Sequence, residues 1–306
     1  MRKVLKVIGI ILLIIVLLIA AGLGFLYYVI YHAPMVPKEY WNEIKTGGTI
    51  EANYLARGEY EVAYIEEKAD EPVNKYVIYY PEELEQDKYP VVVVVNGTGV
   101  FANKEKPLFE HLASWGFIVI GNHDGSTWSG KSADLTLEYL LRLNEDESSI
   151  FYQKIDTENI GITGHSQGGV GVFNAITEQR HGDLYKAAVS LSPTNKKLAH
   201  DLEWDYDAAQ IDTPVLLLSG AGGGDDWVVT GEQLEEIYND VSGSKVMLRR
   251  KDTPHGEMLY AANGYVTAWF MYWLQADREA GKAFWGDAPE IAANPLYQDP
   301  KIRLAE

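Results

Sequence analysis

The chain has 306 residues, carries 26 Lys plus Arg against 44 Asp plus Glu for a net charge of −18, and contains no cysteine. The lack of cysteine excludes disulfides, thiolate metal sites and cysteine nucleophiles. The acidic balance disfavours a nucleic-acid partner and favours neutral or cationic substrates.

The first predicted element is an apolar helix at the amino terminus. Residues 7–31 contain no charge, and Arg2, Lys3 and Lys6 precede them. A bilayer core needs about 20 apolar residues, whereas the apolar part of a signal peptide has only about 7 to 15. Residues 1–31 are therefore predicted to be a transmembrane signal-anchor helix that contacts the lipid bilayer, with its basic end cytoplasmic and the following domain outside. The alternative is a signal peptide cleaved near the small residues 20–22, which would secrete the domain.

Three further segments follow. Residues 32–57 are rich in Pro and Gly and are predicted to form a stalk and lead-in. Residues 58–277 are predicted to form the main α/β domain, and residues 278–306 a carboxy-terminal tail that packs back on it. Residues 60–65 and 75–80 predict an antiparallel edge hairpin. Aliphatic strands then alternate with helices; the strands are predicted at 91–95, 117–121, 159–163, 187–191, 215–219 and 245–249, and the helices at 106–115, 132–143, 167–177, 231–239 and 257–275.

This alternation predicts an α/β fold with a mostly parallel, doubly wound sheet. Only about twenty residues separate the strand ending at Leu191 from the one starting at Val215, which leaves no room for a large cap. Sheets of this kind place their ligand site outside the carboxyl ends of the strands. Candidate site residues are therefore expected directly after strands.

Residues 164–168 match the pattern G-x-S-x-G between a predicted strand and a predicted helix. In this setting the serine occupies a sharp, strained turn, and glycines let strand and helix pass closely. The pattern nominates Ser166 as a nucleophile.

A serine hydroxyl needs a base within hydrogen-bonding reach and a third group to orient that base. His255 is the expected base, because it lies in a polar loop after the last parallel strand. The loop after strand 215–219 contains two adjacent carboxylates. Asp226 is favoured as the orienting acid, and Asp225 stays open as the alternative. The order Ser166, Asp226, His255 is that of the α/β-hydrolases.

Negative charge on a reacting carbonyl oxygen requires an oxyanion hole. The backbone N–H groups of Gln167 and Thr98 are the expected donors, since one follows the nucleophile and the other follows the first parallel strand. The glycines beside Thr98 do not form a phosphate loop, because no G-x-x-x-x-G-K-[ST] pattern occurs. No cofactor is expected, and no ligand cluster near the paired aspartates indicates a metal.

From about residue 58 to 275 the chain resembles the dienelactone hydrolase-like branch of the α/β-hydrolases, in particular cutinase-like polyester hydrolases and type II platelet-activating-factor acetylhydrolases. The resemblance is carried by residues 94–98, 112–119, 164–169 and 214–220. It implies an uncapped esterase that works through an acyl-enzyme intermediate, with Thr98 and Gln167 at the oxyanion positions. The chain departs from the polyester hydrolases in having Thr98 where they usually have an aromatic residue and Gln167 where they have methionine.

Four residues are candidates for the substrate cleft. His123 follows a strand, and Trp128 and Trp227 are expected as hydrophobic walls. The resemblance aligns Thr194 with the tryptophan that clamps substrate in polyester hydrolases.

These features predict a serine hydrolase of carboxylic esters on the outer side of a membrane. The sequence leaves open a peptidase or amidase on the same scaffold and a catalytically silent surface-binding module. It does not determine the acyl or alcohol moiety or the oligomeric state.

Overall fold

A computed structural model describes residues 2–85 and 87–305 of the chain. Its centre is one nine-stranded sheet with the order β1-β2-β4-β3-β5-β6-β7-β8-β9. The strands are β1 (Val62–Lys68), β2 (Lys75–Pro81), β3 (Tyr89–Val95), β4 (Ile118–Asn122), β5 (Ile155–His165), β6 (Tyr185–Leu191), β7 (Val215–Ala221), β8 (Lys245–Lys251) and β9 (Tyr297–Arg303).

The helices are α1 (Arg2–Tyr31), α2 (Thr49–Leu55), α3 (Lys106–Ser114), α4 (Lys131–Glu145), α5 (Gln167–Thr177), α6 (Lys196–Asp201), α7 (Gly231–Asp240), α8 (Met258–Ala261), α9 (Asn263–Gln275), α10 (Arg278–Gly281) and α11 (Glu290–Ala293). The predicted helix 257–275 is divided in two, because Ala262 leaves the helical conformation with φ −100° and ψ 14°.

The predicted fold class is confirmed. Strands β3 to β8 pair in parallel, and β1 and β2 form the predicted antiparallel edge hairpin. Strand β2 also pairs antiparallel with β4, which joins the hairpin to the parallel strands. A feature that the sequence analysis did not predict is β9, which pairs antiparallel with β8 at the opposite edge. The carboxy-terminal tail thus adds the last strand of the sheet.

The core lies on both faces of the sheet. Along β3, Val92 and Val94 contribute to the cluster that includes α3 and α9, while Val91, Val93 and Val95 contribute to the cluster that includes α4, α5 and α7. Successive side chains of a strand point to opposite faces, so a continuous valine run is suited to a strand covered on both sides. Each buried valine contributes about 1.5 to 3 kcal/mol relative to an exposed one.

The segment predicted as a stalk packs on the domain. Val36 and Tyr40 are buried in a cluster with Leu55, Leu108 and Leu259, and α2 packs against α9. Helix α1, by contrast, has an apolar segment, Ile10–Val29, whose side chains are not buried in the domain and which is long enough to cross a membrane.

Candidate active site

The turn between β5 and α5 presents Ser166. Strand β5 ends at His165 and α5 begins at Gln167, and Ser166 between them has φ 60° and ψ −120°. This positive φ is costly for a residue with a Cβ and persists only where the surroundings enforce it. The close passage needs glycine: a Cβ on Gly164 would lie 2.3 Å from the Gly168 carbonyl oxygen, and one on Gly168 would lie 2.2 Å from that of Val95. Strand, turn and helix together therefore fix Ser166 at the carboxyl edge of the sheet.

His255 reaches Ser166 from the loop after β8. Its Nε2 lies 3.0 Å from Ser166 Oγ, although the two residues are 89 positions apart in sequence. His255 begins a short helical turn, His255–Glu257. The imidazole is thus within hydrogen-bonding distance of the hydroxyl, as a general base requires.

The carboxylate that contacts His255 belongs to Asp225. Its Oδ1 lies 2.5 Å from His255 Nδ1, and the side chain is fully buried. Asp226, the favoured residue of the sequence analysis, forms an ion pair with Arg249 instead, and its side chain is 51% exposed. The assignment of Asp226 as the acid beside His255 is therefore wrong, and the alternative, Asp225, takes that place. The reason is local geometry, because residues 225–227 form a helical turn in which adjacent side chains point in different directions.

A second serine holds the carboxylate of Asp225. Ser192 Oγ donates a hydrogen bond of 2.9 Å to Asp225 Oδ2, and the Gly220 N–H donates to the same oxygen. Ser192 is fully buried and follows β6, the strand beside β7 in the sheet. Sequence reasoning missed Ser192; the only available signal was its place directly after a strand that neighbours β7. These donors hold the Asp225 carboxylate in place and orient it towards His255.

One expected oxyanion donor directly follows Ser166, and the other lies in the loop after β3. Gln167 is the first residue of α5, where N–H groups have no partner within the helix. Thr98 is exposed in the loop after β3. That loop packs on the serine turn, since a Cβ on Gly97 would lie 3.3 Å from the carbonyl oxygen of His165. Within residues 2–85 and 87–305, neither the Thr98 nor the Gln167 N–H has an acceptor, so both are available for a ligand oxygen.

The side chain of Gln167 has a separate task. It is 2% exposed, and its Oε1 accepts a 2.8 Å hydrogen bond from the Thr127 N–H. Thr127 Oγ1 donates to the carbonyl oxygen of Asn96, and Asn96 Nδ2 donates to the carbonyl oxygens of Asn122 and Asp124. This buried network ties the loop after β3 to the loop after β4 and to the start of α5. A methionine at position 167 has no oxygen with which to make that connection.

His165 supports His255 from below the turn. It is 6% exposed, and its Nε2 donates a 2.8 Å hydrogen bond to the backbone oxygen of His255. The two rings lie 4.5 Å apart between centroids. Burial and the neighbouring His255 lower the pKa of His165 to about 3, so this imidazole stays neutral and acts as a structural donor.

Of the four cleft candidates, Trp227 is the one that lies beside the site. Its side chain is 71% exposed, and its ring centroid is 6.1 Å from that of His255. Trp128 instead lines a separate cavity of about 470 Å³ with Asn174 and Tyr206.

The other two candidates are set back. Thr194 is 2% exposed and offers almost no surface. His123 packs against Phe101, and its pKa is lowered to about 4 by burial and by Lys75. Among the described residues, neither a hydrogen bond nor a ring contact joins His123, Trp128 or Thr194 to Ser166, Asp225 or His255. Their assignment to the substrate cleft stays a prediction.

No cluster of three or more His, Asp or Glu side chains suited to a metal ion occurs in the part of the chain that the structure describes.

Comparison with known proteins gives a family match and several distant relatives. The model of the PET hydrolase-like family matches residues 48–288. A bis(hydroxyethyl) terephthalate hydrolase of Streptomyces coelicolor is 27% identical over 55% of this chain and 50% of its own length. The cutinase est1 of Thermobifida alba is 26% identical over 58% of this chain and 56% of its own, and cutinase 2 of Thermobifida cellulosilytica is 33% identical over 38% and 43%. The matched part thus spans about half the length of these relatives.

Proposed function

Because the chain belongs to the PET hydrolase-like family, we propose that it is a serine hydrolase of carboxylic esters, in which Ser166, His255 and Asp225 form the catalytic triad. The observation that carries the proposal is the continuous row of contacts from Ser166 Oγ through the imidazole to the buried Asp225 carboxylate, at 3.0 and 2.5 Å. The names of the relatives, a bis(hydroxyethyl) terephthalate hydrolase and a cutinase, support ester chemistry.

The proposed reaction has two halves. In the first, His255 Nε2 takes the proton from Ser166, whose oxygen bonds to the ester carbonyl carbon, and the Thr98 and Gln167 N–H groups stabilise the negative oxygen. The bond to the alkoxy oxygen then breaks, and His255 returns the proton to the leaving alcohol. In the second half, a water attacks the acyl-serine by the same route and releases the acid. Asp225 stabilises the imidazolium at each stage.

The cleft favours neutral or cationic esters. The domain after residue 31 holds all 44 acidic residues of the chain, and a field of that sign repels anionic substrates. Trp227 provides an exposed apolar surface beside His255 for an acyl or alcohol group. Thr194 aligns with the aromatic clamp of polyester hydrolases and is a smaller side chain. We therefore do not propose a preference for aromatic polyesters.

We further propose that α1 anchors the protein as a single-pass segment, with the basic residues Arg2, Lys3 and Lys6 in the cytoplasm and the catalytic domain outside. The length of the apolar run supports an anchor, since Ile10–Val29 alone holds 20 residues. The mass of the mature protein distinguishes this topology from cleavage: an anchor retains the amino-terminal residues, and a signal peptide loses them.

Labelling with a fluorophosphonate tests the nucleophile. We expect the full chain in detergent to be labelled, and Ser166→Ala to abolish labelling, because the phosphonate bonds to an activated serine oxygen. Ser148→Ala serves as the matched control, since Ser148 is an exposed serine whose hydroxyl bonds to Asp146, and it should retain the label. Labelling of Ser166→Ala at the parent level would refute the assignment.

A further inference from the structure

The carboxyl end of α1 is bound by side chains of the catalytic domain. Asn103 Nδ2 donates a 3.0 Å hydrogen bond to the carbonyl oxygen of Tyr31, and Lys104 Nζ donates a 3.1 Å bond to that of Val29. The last carbonyls of a helix have no partner within the helix and carry partial negative charge. An amide and an ammonium group of the domain are suitable partners for them.

Ring packing and backbone bonds extend this contact. The Tyr31 ring stacks on Phe101 with centroids 5.5 Å apart and planes within 8°. After the helix, the N–H groups of Met35 and Val36 donate to the carbonyl oxygen of Lys104. Residues 101–104 therefore form a docking segment for the end of α1.

The docking segment continues directly from the loop after β3, which contains Thr98 and is called the oxyanion loop below. Phe101 packs on Gly125, where a Cβ would lie 3.4 Å from Phe101 Cε1. The Gly125 carbonyl oxygen accepts a 3.1 Å hydrogen bond from the N–H of Gly99, the residue after Thr98. Contacts from Tyr31 through Phe101 and Gly125 to Gly99 thus connect the end of α1 to the oxyanion loop. This loop forms the rim of the candidate active site.

The dimensions of a bilayer place this rim near the lipid headgroups. A helix rises about 1.5 Å per residue, so Ile10–Val29 spans about 30 Å, the thickness of the hydrocarbon core. Val29 then lies at the edge of the hydrocarbon, and Tyr31 lies in the headgroup layer, where tyrosine is favoured. The exposed Trp227, beside His255, is also a side chain suited to an interface.

From this arrangement we infer that α1 holds the catalytic cleft at the bilayer surface, and that the substrate is a neutral ester that resides in the membrane with its carbonyl at headgroup level. The inference rests on the proposed ester-hydrolase function and adds the location and class of the substrate. Because α1 holds the cleft at the membrane surface, the cleft meets a high local concentration of the ester and does not depend on diffusion of the ester from solution. A neutral lipid is favoured over an anionic one by the acidity of the domain.

The first experiment measures the position of the cleft rim without using activity. The chain has no cysteine, so a single introduced cysteine provides one label site. Ser126→Cys places it next to Gly125, at the cleft rim. Ile150→Cys places it before the start of β5, at the other end of the strands. Both variants of the full chain are labelled with a fluorophore and reconstituted in phosphatidylcholine vesicles that contain a headgroup quencher. We expect quenching at residue 126 to exceed that at residue 150 by about twofold or more, because quenching falls off over the headgroup layer of several ångströms. Equal quenching, or more at residue 150, would overturn the inference.

The second experiment measures substrate preference with the docking contact weakened. The variant Tyr31→Ala with Asn103→Ala removes the ring stack and one helix-end bond, and Tyr64→Ala, another exposed tyrosine, is the matched control. We expect the docking variant to hydrolyse p-nitrophenyl acetate in water at the parent rate, and p-nitrophenyl dodecanoate in the same vesicles about tenfold more slowly. The control should keep both rates.

The outcomes separate the two proposals. Equal rates of dodecanoate hydrolysis in the parent and docking variants, or an equal fall in both esters, would overturn the inference while leaving the esterase intact. A parent chain that hydrolyses neither ester would refute the proposed function, and the quenching experiment would still report where the cleft lies.

Discussion

At the scale of single residues, the arrangement of Asp225 and Asp226 shows how two identical side chains in adjacent positions differ. Asp225 is fully buried and contacts His255, Ser192 and Gly220, whereas Asp226 is half exposed and contacts Arg249 and the N–H of Gly222. A buried carboxylate held by several donors keeps a fixed orientation, which is what a partner of the His255 imidazole requires. Because the Asp226 carboxylate is half exposed, water screens its ion pair with the buried Arg249.

Asparagine at each position separates the two carboxylates. We expect Asp225→Asn to lower kcat/KM for p-nitrophenyl acetate by about 10⁴-fold, the size of the loss when the acid of a serine triad becomes an amide. Asp226→Asn removes only the contacts to Arg249 and Gly222, and kcat/KM should stay within about fivefold of the parent value. A loss for Asp226→Asn as large as that for Asp225→Asn would contradict the placement of the acid.

At the scale of elements, the site depends on how tightly β5, α5 and the loop after β3 pass one another. The side chain of Gln167 connects these elements through Thr127 and Asn96. The backbone of α5 lies so close to β3 that a Cβ on Gly168 would be 2.2 Å from the Val95 carbonyl oxygen and 2.6 Å from that of Asn96. Because Thr98 lies just beyond Val95 and Asn96, any displacement of their backbone also moves the Thr98 N–H.

Alanine at Gly168 tests this close approach. We expect Gly168→Ala to lower the free energy of unfolding by about 1 to 3 kcal/mol, since the methyl group must displace backbone atoms, and to reduce kcat by shifting Thr98. Gly256→Ala is the matched control, because a Cβ there has no heavy atom within 4 Å. Thermal unfolding and p-nitrophenyl acetate hydrolysis of the full chain in detergent measure both effects. An unfolding midpoint for Gly168→Ala as high as that of the control would show that the elements can separate without cost.

At the scale of the whole molecule, the amino-terminal lead-in, α3 and α9 are joined by a buried polar group. His111 is fully buried; its Nε2 donates to the carbonyl oxygens of Leu55 and Ala56, and its Nδ1 accepts from Asn263. These bonds require the neutral imidazole. Burial lowers the pKa of His111 from 6.5 to about 4.

This lowered pKa predicts acid destabilisation. Between pH 6.5 and pH 4 the unfolded chain binds a proton at His111 that the folded chain does not, so the free energy of unfolding falls as the pH falls through this window. The loss approaches about 3 kcal/mol at pH 4. In His111→Gln, which keeps a donor and an acceptor, the unfolding free energy should change less between pH 7.5 and pH 4.5. Denaturant titrations at the two pH values measure the difference, and an unchanged pH dependence in the variant would contradict the role of His111.

Local patterns in the sequence were sufficient for most of the fold and for part of the site. The valine run of β3 and its counterparts predicted the parallel sheet, because burial on both faces selects continuous aliphatic strands. The pattern around Ser166 predicted the serine turn, because only glycine permits the close passage of strand and helix. His255 was identified by its place after the last parallel strand.

Features that depend on contacts between residues distant in sequence could be seen only in the tertiary structure. Asp225 and Asp226 have the same chemistry, and the choice between them is made by Ser192, Gly220 and Arg249, which lie on neighbouring strands or directly after them. Strand β9 forms because β8 offers an unpaired edge, and the network of Gln167 forms because three loops meet at one edge of the sheet. The periodicities and the reactive groups can be read from the amino-acid sequence alone, since these are local properties. The direction of each side chain was decided only by packing, since it depends on which distant atoms satisfy its charge and hydrogen bonds.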